Sequence, residues 1–188
     1  MPISDLIKPK PVKILGIDAS TTSIAFGIFE NGKLIQYGKI NLNGSDIYEK
    51  IYDARKKVLA MKNILKADYI TIEAAVFVKS PDIAIKLAYV YGAIISQLLD
   101  ENSKVVTVIP TQWQNFIGNK SFTKDEKERL KLKNPGKSEA WYKTKIREMR
   151  KQKTIAFVNN NFNPQSEILD HDVADAIAIA YFAQENHK

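Results

Sequence analysis

Residues 12–29, VKILGIDASTTSIAFGIF, predict two β-strands joined by a polar turn. Asp18 stands where the first strand stops, and residues 25–29 run back as its hairpin partner. Burying an acid beside so apolar a run is costly unless a cation or hydrogen-bond donors meet it. Asp18 is therefore either a metal ligand or phosphate-directed acid, or a residue that caps the turn by accepting bonds from nearby amides.

Hydrophobic periodicity outlines the rest of the chain as alternating strands and helices. The predicted strands are residues 33–42, after the Asn31-Gly32 turn, 68–73 and 104–109, and the predicted helices are 46–66, 81–101, 111–116, 154–162 and 170–186. Between them, residues 119–153 break at Asn134-Pro135-Gly136, which predicts either two helices around a turn or a partly mobile flap.

The charge of the chain is concentrated in one segment. Residues 119–153, named here the basic segment, hold 13 Lys or Arg and 5 Asp or Glu, a balance of +8. The rest holds 15 basic and 16 acidic residues, a balance of −1. Such a local excess suits a polyanion such as nucleic acid, although a solvated charged helix is the alternative.

Several protein classes are excluded by composition. Cysteine is absent, which rules out disulfides, thiolate metal sites and cysteine nucleophiles. No apolar run approaches the roughly 20 residues that span a bilayer, and the N-terminus lacks a signal-peptide core. We therefore expect a cytoplasmic protein of one domain. The Lys-, Asn- and Ile-rich usage indicates a low-GC genome, such as that of a bacteriophage.

Three further acids could lie close to Asp18. Glu73 ends a short apolar strand, and Asp172 and Asp175, three residues apart, lie on one face of the last predicted helix. His171 is within reach of the same place. Separately, Glu73 could be a surface acid, and Asp172 could simply favour the helix N-terminus. If the four carboxylates converge, they select Mg²⁺ or Mn²⁺, and two such ions would suit phosphodiester hydrolysis.

The predicted helix that begins at Pro81 is apolar on several faces, so it must be covered on several sides. Ala88 and Gly92, four residues apart, would allow another helix to approach closely. The covering surface is either a second subunit or the rest of the same chain.

Three motifs resemble the RuvC family of Holliday junction resolvases, in the ribonuclease H-like superfamily. They are ILGIDASTTSIAFGIF, ITIEAAVFVKSPDIAIKLAYVYGAI and DHDVADAIAIA, and the likeness covers most of the chain. The resemblance implies an α/β fold, a five-stranded mixed sheet with helices on both faces, in a single domain over residues 1–188. It also implies a homodimer that cuts four-way DNA junctions, with catalytic, metal-ligating acids at Asp18, Glu73, Asp172 and Asp175.

The chain departs from the family pattern in ways that concern DNA contacts. Val76 replaces an aromatic wedge, with Phe77 one residue later, and Trp113 stands where a lysine is common. A catalytic lysine corresponds to Lys151 or Lys153, and residues 119–143 form an insertion. The residues expected to bind nucleic acid are Phe77, Lys79, Lys143, Lys145, Arg147 and Arg150.

Three other functions are compatible with parts of the sequence. GIDASTTSIAFGIFENGKLI also resembles the opening of sugar kinases, but this chain is short and has only 8 glycines, so we expect no nucleotide cofactor. Another ribonuclease H-like nuclease, acting on branched DNA, RNA–DNA hybrid or precursor RNA, is a second alternative. A non-catalytic junction-binding protein is a third, although the presence of all four acids argues against it.

Overall fold

The computed structural model describes residues 11–74 and 80–186. Its centre is a five-stranded mixed sheet in the order β3-β2-β1-β4-β5. β1 pairs antiparallel with β2, and β2 with β3, whereas β1, β4 and β5 run parallel. The strands are β1 Lys13–Ala19, β2 Ser23–Glu30, β3 Lys33–Asn41, β4 Tyr69–Glu73 and β5 Lys104–Val108. This is the predicted five-stranded mixed sheet.

Seven helices accompany the sheet in the described ranges. They are α1 Ile47–Ala60, α2 Lys62–Leu65, α3 Pro81–Leu98, α4 Pro110–Phe116, α5 Lys124–Lys133, α6 Glu139–Phe162 and α7 His171–Asn186. Side chains alternate between the two faces of a strand, so each face of the sheet carries its own core. Leu15 and Ile17 pack with α1 and α3, through residues such as Val58 and Ile94. The other face packs against α7, α6 and α4.

Close contact between β1 and α7 depends on Gly16. A Cβ at this position would lie 2.3 Å from the carbonyl oxygen of Ala176 and 2.5 Å from the backbone nitrogen of Ala180. A larger residue would push the helix off the sheet, so glycine is required here. This approach brings the first turns of α7 to the end of β1 that carries Asp18.

The basic segment forms two helices around a turn, one of the two predicted arrangements. Thr123 and Glu126 form a capping box at the start of α5, and Ser138 caps α6 by accepting from the backbone N–H of Trp141. α6 then continues without a break to Phe162 and ends at Asn163, which has a left-handed backbone. The helix predicted over residues 154–162 is therefore the C-terminal part of a much longer one.

Two predicted boundaries were wrong, and one group of residues lies outside the described part. The helix predicted over residues 46–66 is interrupted at Met61, although no glycine or proline marks the break. α3 ends at Leu98, short of the predicted Glu101.

Val76, Phe77 and Lys79 lie outside the described residues. Within the described ranges, no helix is both long and apolar enough to span a membrane.

Candidate active site

Asp18 and Glu73 lie side by side at the ends of two parallel strands. The register of β1 with β4 pairs Ile17 with Ile72, so the next residues along each strand stand at the same level. Asp18 is two residues after Gly16 and therefore points to the same face of the sheet, the face that α7 covers. The predicted convergence of these two acids follows from this register.

α7 adds Asp172 and Asp175, and the four carboxylates act on one another. Burial raises the pKa of Asp18 to about 8, and the charges of Glu73, Asp175 and Asp172 add to this effect. Burial likewise raises the pKa of Asp175 to about 7, with further contributions from Glu73 and Asp172. Burial also raises the pKa of Glu73. The chain therefore gathers acids that resist ionisation unless a cation joins them.

The chemistry of these ligands fits a hard divalent cation. All four offer carboxylate oxygens, which Mg²⁺ and Mn²⁺ prefer, and the described part of the chain has no cysteine to favour a softer metal. The acids come from β1, β4 and α7. β1 pairs with β4, and α7 packs closely against β1 at Gly16. A divalent ion held here would offset the burial and the repulsion that raise the pKa values of Asp18 and Asp175.

Lys39 is a member of this cluster that the sequence did not reveal. Asp18 pairs with Ala25, and Ala25 pairs with Lys39, so all three stand in one row across the sheet. The Lys39 ammonium lies 2.6 Å from Asp172 Oδ2 and 2.9 Å from Asp170 Oδ2. Desolvation opposes its charge, but bonds to these two acids raise the pKa of Lys39 overall. Lys39 thus links β3 to the start of α7.

The first turn of α7 holds a more exposed group, the one in the described part of the chain whose ligand atoms lie close enough together to share an ion. Asp170, His171 and Asp172 each offer one ligand atom within 4.8 Å of the others. Asp170 Oδ1 already accepts from the backbone N–H groups of Asp172 and Val173, at 2.8 and 3.2 Å. His171 Nδ1 lies 3.4 Å from Asp172 Oδ1, so the predicted nearness of His171 to the acids is seen at Asp172. Asp170 therefore caps the helix, while Asp172 belongs to both groups.

Trp113 holds Glu73 in place, which sequence reasoning missed. Its indole Nε1 donates a hydrogen bond to Glu73 Oε1 at 2.8 Å, and the side chain is only 1% exposed. This bond favours the carboxylate and so opposes the rise in the pKa of Glu73 that burial causes. A residue that looked like a departure from the family pattern is a direct support of a candidate metal ligand.

Replacing Trp113 with Phe should weaken metal use more than it weakens the fold. Phe retains an aromatic ring in the core but cannot donate to Glu73, and lost second-layer bonds commonly cost about 10- to 100-fold in metal affinity or activity. We expect the Mg²⁺ concentration for half-maximal DNA cleavage to rise by about that factor. Ile117→Val, in the same core cluster, is the control for packing loss alone. An unchanged Mg²⁺ requirement in Trp113→Phe would contradict this role.

Asp175 is supported from α6. The Thr154 side chain hydrogen-bonds to Asp175, which counters part of the rise in its pKa, and the positive charge of Lys151 acts in the same direction. Thr154 Oγ1 in turn accepts from Asn119 Nδ2 at 3.0 Å, and the same Nδ2 donates to the carbonyl oxygen of Arg150 at 2.8 Å. The basic segment is therefore part of the support of the acid cluster.

The basic residues proposed from the sequence fall into different surroundings. Lys151 acts on Asp175, whereas the ammonium of Lys153 lies 5.0 Å from the centre of the Phe122 ring and its charge acts on Glu126. The structure thus brings only the first of the two candidate catalytic lysines to Asp175, and the pairing of Lys153 with the acids is not seen.

The other residues predicted to contact DNA also differ from one another in their contacts within the chain. Lys145 pairs with Glu148 at 3.2 Å. Arg150 is partly buried, and its Nη2 donates to Gln114 Oε1 at 2.5 Å and to the Asn119 carbonyl at 3.2 Å. Arg150 therefore has a structural task that the sequence did not show. Lys143 and Arg147 are exposed and line a cavity beside Asp175.

Comparison with known proteins shows which family the chain resembles. The model of the family described as "Crossover junction endodeoxyribonuclease RuvC" matches residues 14–131, which include Asp18 and Glu73. The chain belongs to the RuvC family. The family predicted from the sequence is thereby confirmed, and the resemblance to sugar kinases is set aside. A RuvC-family relative, "Crossover junction endodeoxyribonuclease RuvC" of Aliarcobacter butzleri (strain RM4018), is 29% identical over 175 residues, covering 90% of this chain and 96% of its own length.

Two solved structures of a RuvC protein share the fold. "T. thermophilus RuvC in complex with Holliday junction substrate" has a TM-score of 0.66 at 15% identity, covering 93% of this chain and 96% of that chain. "Thermus thermophilus RuvC structure" has a TM-score of 0.62 at 14% identity, with the same coverage. At these identities the likeness speaks for the fold, and it confirms the predicted α/β, ribonuclease H-like class.

Proposed function

We propose that this RuvC-family protein is a metal-dependent endonuclease that resolves four-way DNA junctions. The observation that carries the proposal is that the charges of Glu73, Asp172 and Asp175 act on Asp18. Burial and these neighbouring charges raise the pKa values of Asp18 and Asp175, and a divalent cation would offset both effects. Two Mg²⁺ or Mn²⁺ ions bound there would supply an activated water and a stabilised leaving oxygen for phosphodiester hydrolysis. The local basic excess beside the acids suits a DNA substrate.

The chain's own residues prepare this site before DNA arrives. Trp113 fixes one carboxylate oxygen of Glu73, and Thr154 fixes Asp175 through a bond that Asn119 supports from behind. Lys151 places a positive charge near Asp175, where it would also face a phosphate held by the acids. Of the two lysines named from the sequence, Lys151 is therefore the one that we propose assists catalysis.

Function on a four-way junction requires two cuts, and we propose that a homodimer provides them. α3 presents an apolar stripe to solvent: Ile85 is 52% exposed and Tyr89 is 47% exposed, with Ala88 and Gly92 on the same side. A Cβ built on Gly92 meets nothing within 4 Å among the described residues, so another helix could approach there closely. Burying this stripe against a second copy would remove exposed apolar area and set two active sites in one particle.

Gly92→Gln tests the dimer directly. The Cβ of the new side chain has room among the described residues, and losing glycine should stabilise α3 by up to about 1 kcal/mol, yet the side chain should block close helix approach. We expect a dimer for the wild type and a monomer for the variant in analytical ultracentrifugation. Ala156→Gln, at an exposed position of α6, is the control and should stay dimeric. A variant that dimerises as tightly as the wild type would place the interface elsewhere.

The activity is tested by offering the protein several labelled nucleic acids with Mg²⁺ or with EDTA. The substrates are a four-way junction, linear duplex DNA and an RNA–DNA hybrid. We expect paired symmetric nicks in the junction, only in the presence of metal. Preferential cutting of the hybrid would instead identify another ribonuclease H-like nuclease. Junction binding without any cutting would favour the non-catalytic alternative.

A further inference from the structure

A row of positive side chains follows one face of α6 and leads to Asp175. Lys143, Arg147 and Lys151 recur every four residues, a spacing that places them on the same side of the helix. They line a cavity of about 340 Å³ together with Gln114, Arg150 and Asp175. Lys143 and Arg147 form no ion pair with any acid in the described part of the chain. Their charges are therefore available to a ligand.

Two residues that line the cavity also carry buried polar atoms that have no partner within the described chain. Arg150 Nε is fully covered but donates to nothing, although Nη2 of the same group is bonded to Gln114. Asn119, only 3% exposed, also lines the cavity, and its Oδ1 accepts nothing. Leaving buried polar atoms unmatched is costly. The polar wall, with the Arg150 guanidinium held by Gln114, therefore favours an anionic ligand in the cavity.

We propose that this cavity is a phosphate subsite of the DNA strand to be cut, holding a backbone phosphate next to the one at the acid cluster. The assignment rests on the proposed nuclease function. Because Asp175 belongs both to the cavity and to the acid cluster, a ligand here lies beside the reacting bond. A strand whose scissile phosphate sits at the acids must place its neighbouring phosphates at the edge of the cluster. The positive row on α6 lies at this edge, where it would contact such a phosphate.

The rest of the basic segment is partly neutralised within itself. Lys131 pairs with Glu139, and Lys145 pairs with Glu148. The excess of +8 is therefore not spread evenly over the surface of the segment. The subsite predicts that the charges at particular positions matter for DNA binding. This distinguishes it from general attraction between a basic protein and DNA.

Two charge-matched double variants test the subsite. Lys143→Gln with Arg147→Gln removes two exposed charges of the subsite, leaving Lys151 and Arg150 intact. Arg129→Gln with Lys133→Gln removes the same two residue types, also four apart on a helix of the basic segment, from exposed positions on α5 that do not line the cavity. Each variant lowers the net charge by two. Thermal unfolding checks that both retain the fold.

The measurement is affinity for a labelled four-way junction in EDTA at several salt concentrations. Each phosphate contact on duplex DNA contributes about 0.9 to the slope of log affinity against log salt. Loss of both contacts should lower the slope by about 1.8 and weaken binding on the order of tenfold at about 0.1 M salt. The α5 control should stay within about twofold of the wild type.

Equal losses in the two variants would mean diffuse attraction and would overturn the subsite, as would no loss in either. Duplex and single-stranded DNA are measured in parallel, so that the proposed function is judged separately. If the wild type cuts no junction but binds another DNA, the proposal of junction resolution fails. The subsite is then tested by comparing the affinities of the two double variants for that DNA. If the wild type binds no DNA at all, both proposals fail.

Discussion

Asp18→Asn should abolish DNA cleavage and at the same time stabilise the metal-free fold. The amide keeps the shape of the side chain but removes the charge that would hold a divalent ion, so we expect a loss of at least about a thousandfold, or about 4 kcal/mol. Stability should move the other way. The half-buried Asp18 carboxylate, with its pKa raised to about 8, is costly to ionise among Glu73, Asp175 and Asp172, and Asn is not ionised.

Asp100→Asn is the matched control for this experiment. Asp100 bonds with Lys66 and Ser103, which lower its pKa, so its ionised form is favourable and unconnected with the acid cluster. It should leave cleavage intact and lower stability slightly. In EDTA at about pH 9, we expect the melting temperature of Asp18→Asn to exceed that of the wild type by several degrees. Cleavage by Asp18→Asn at a near wild-type rate would remove Asp18 from the metal site.

Without metal, the stability of the wild type should fall as pH rises from about 5 to 9. Asp18 and Asp175 have pKa values of about 8 and about 7 in the folded protein, above the ordinary 3.8. Between 3.8 and these values, the folded state binds more protons than the unfolded state. The free energy of unfolding therefore decreases with pH, by up to about 1.4 kcal/mol per proton for each pH unit. The stability that protonation gives is present at the acidic end and lost at the alkaline end.

Mg²⁺ should reverse this trend at the alkaline end, because a bound cation favours the ionised carboxylates and stabilises the folded state that binds it. The experiment follows chemical unfolding across this pH range, once in EDTA and once in Mg²⁺. The slope in EDTA should shrink in Asp18→Asn and remain in Asp100→Asn. A flat profile for the wild type in EDTA would show that the acids are not buried together.

The four acids could be predicted because each is marked by local sequence. Asp18 and Glu73 follow apolar strand patterns, and Asp172 and Asp175 have helical spacing. Lys39 could not be predicted, because the direction of its side chain depends on an irregularity in the β2–β3 pairing. A regular hairpin would place Gly38 opposite Ala25, but the shift between Ile28 and Phe29 places Lys39 there and turns it toward α7.

Contacts between distant segments account for the other omissions. Trp113 and Glu73 are 40 residues apart, and their bond depends on how α4 packs against the sheet edge. The choice between Lys151 and Lys153 depends on the rotation of α6, which is fixed by the burial of Ile155 and Val158. A sequence pattern fixes the spacing along a helix, but only the tertiary core fixes which side faces the site.

The unbroken length of α6 constrains how this part of the gene can vary. The helix has 24 residues, about 36 Å, with Lys143 near one end and the buried Val158 toward the other. A single-codon insertion or deletion between them would rotate one end against the other by about 100° and turn Lys143 and Arg147 away from the cavity. Length changes within residues 134–138, in the turn, would leave that alignment intact. Relatives that have a helix equivalent to α6 should therefore tolerate insertions and deletions in the turn and exclude them from the helix.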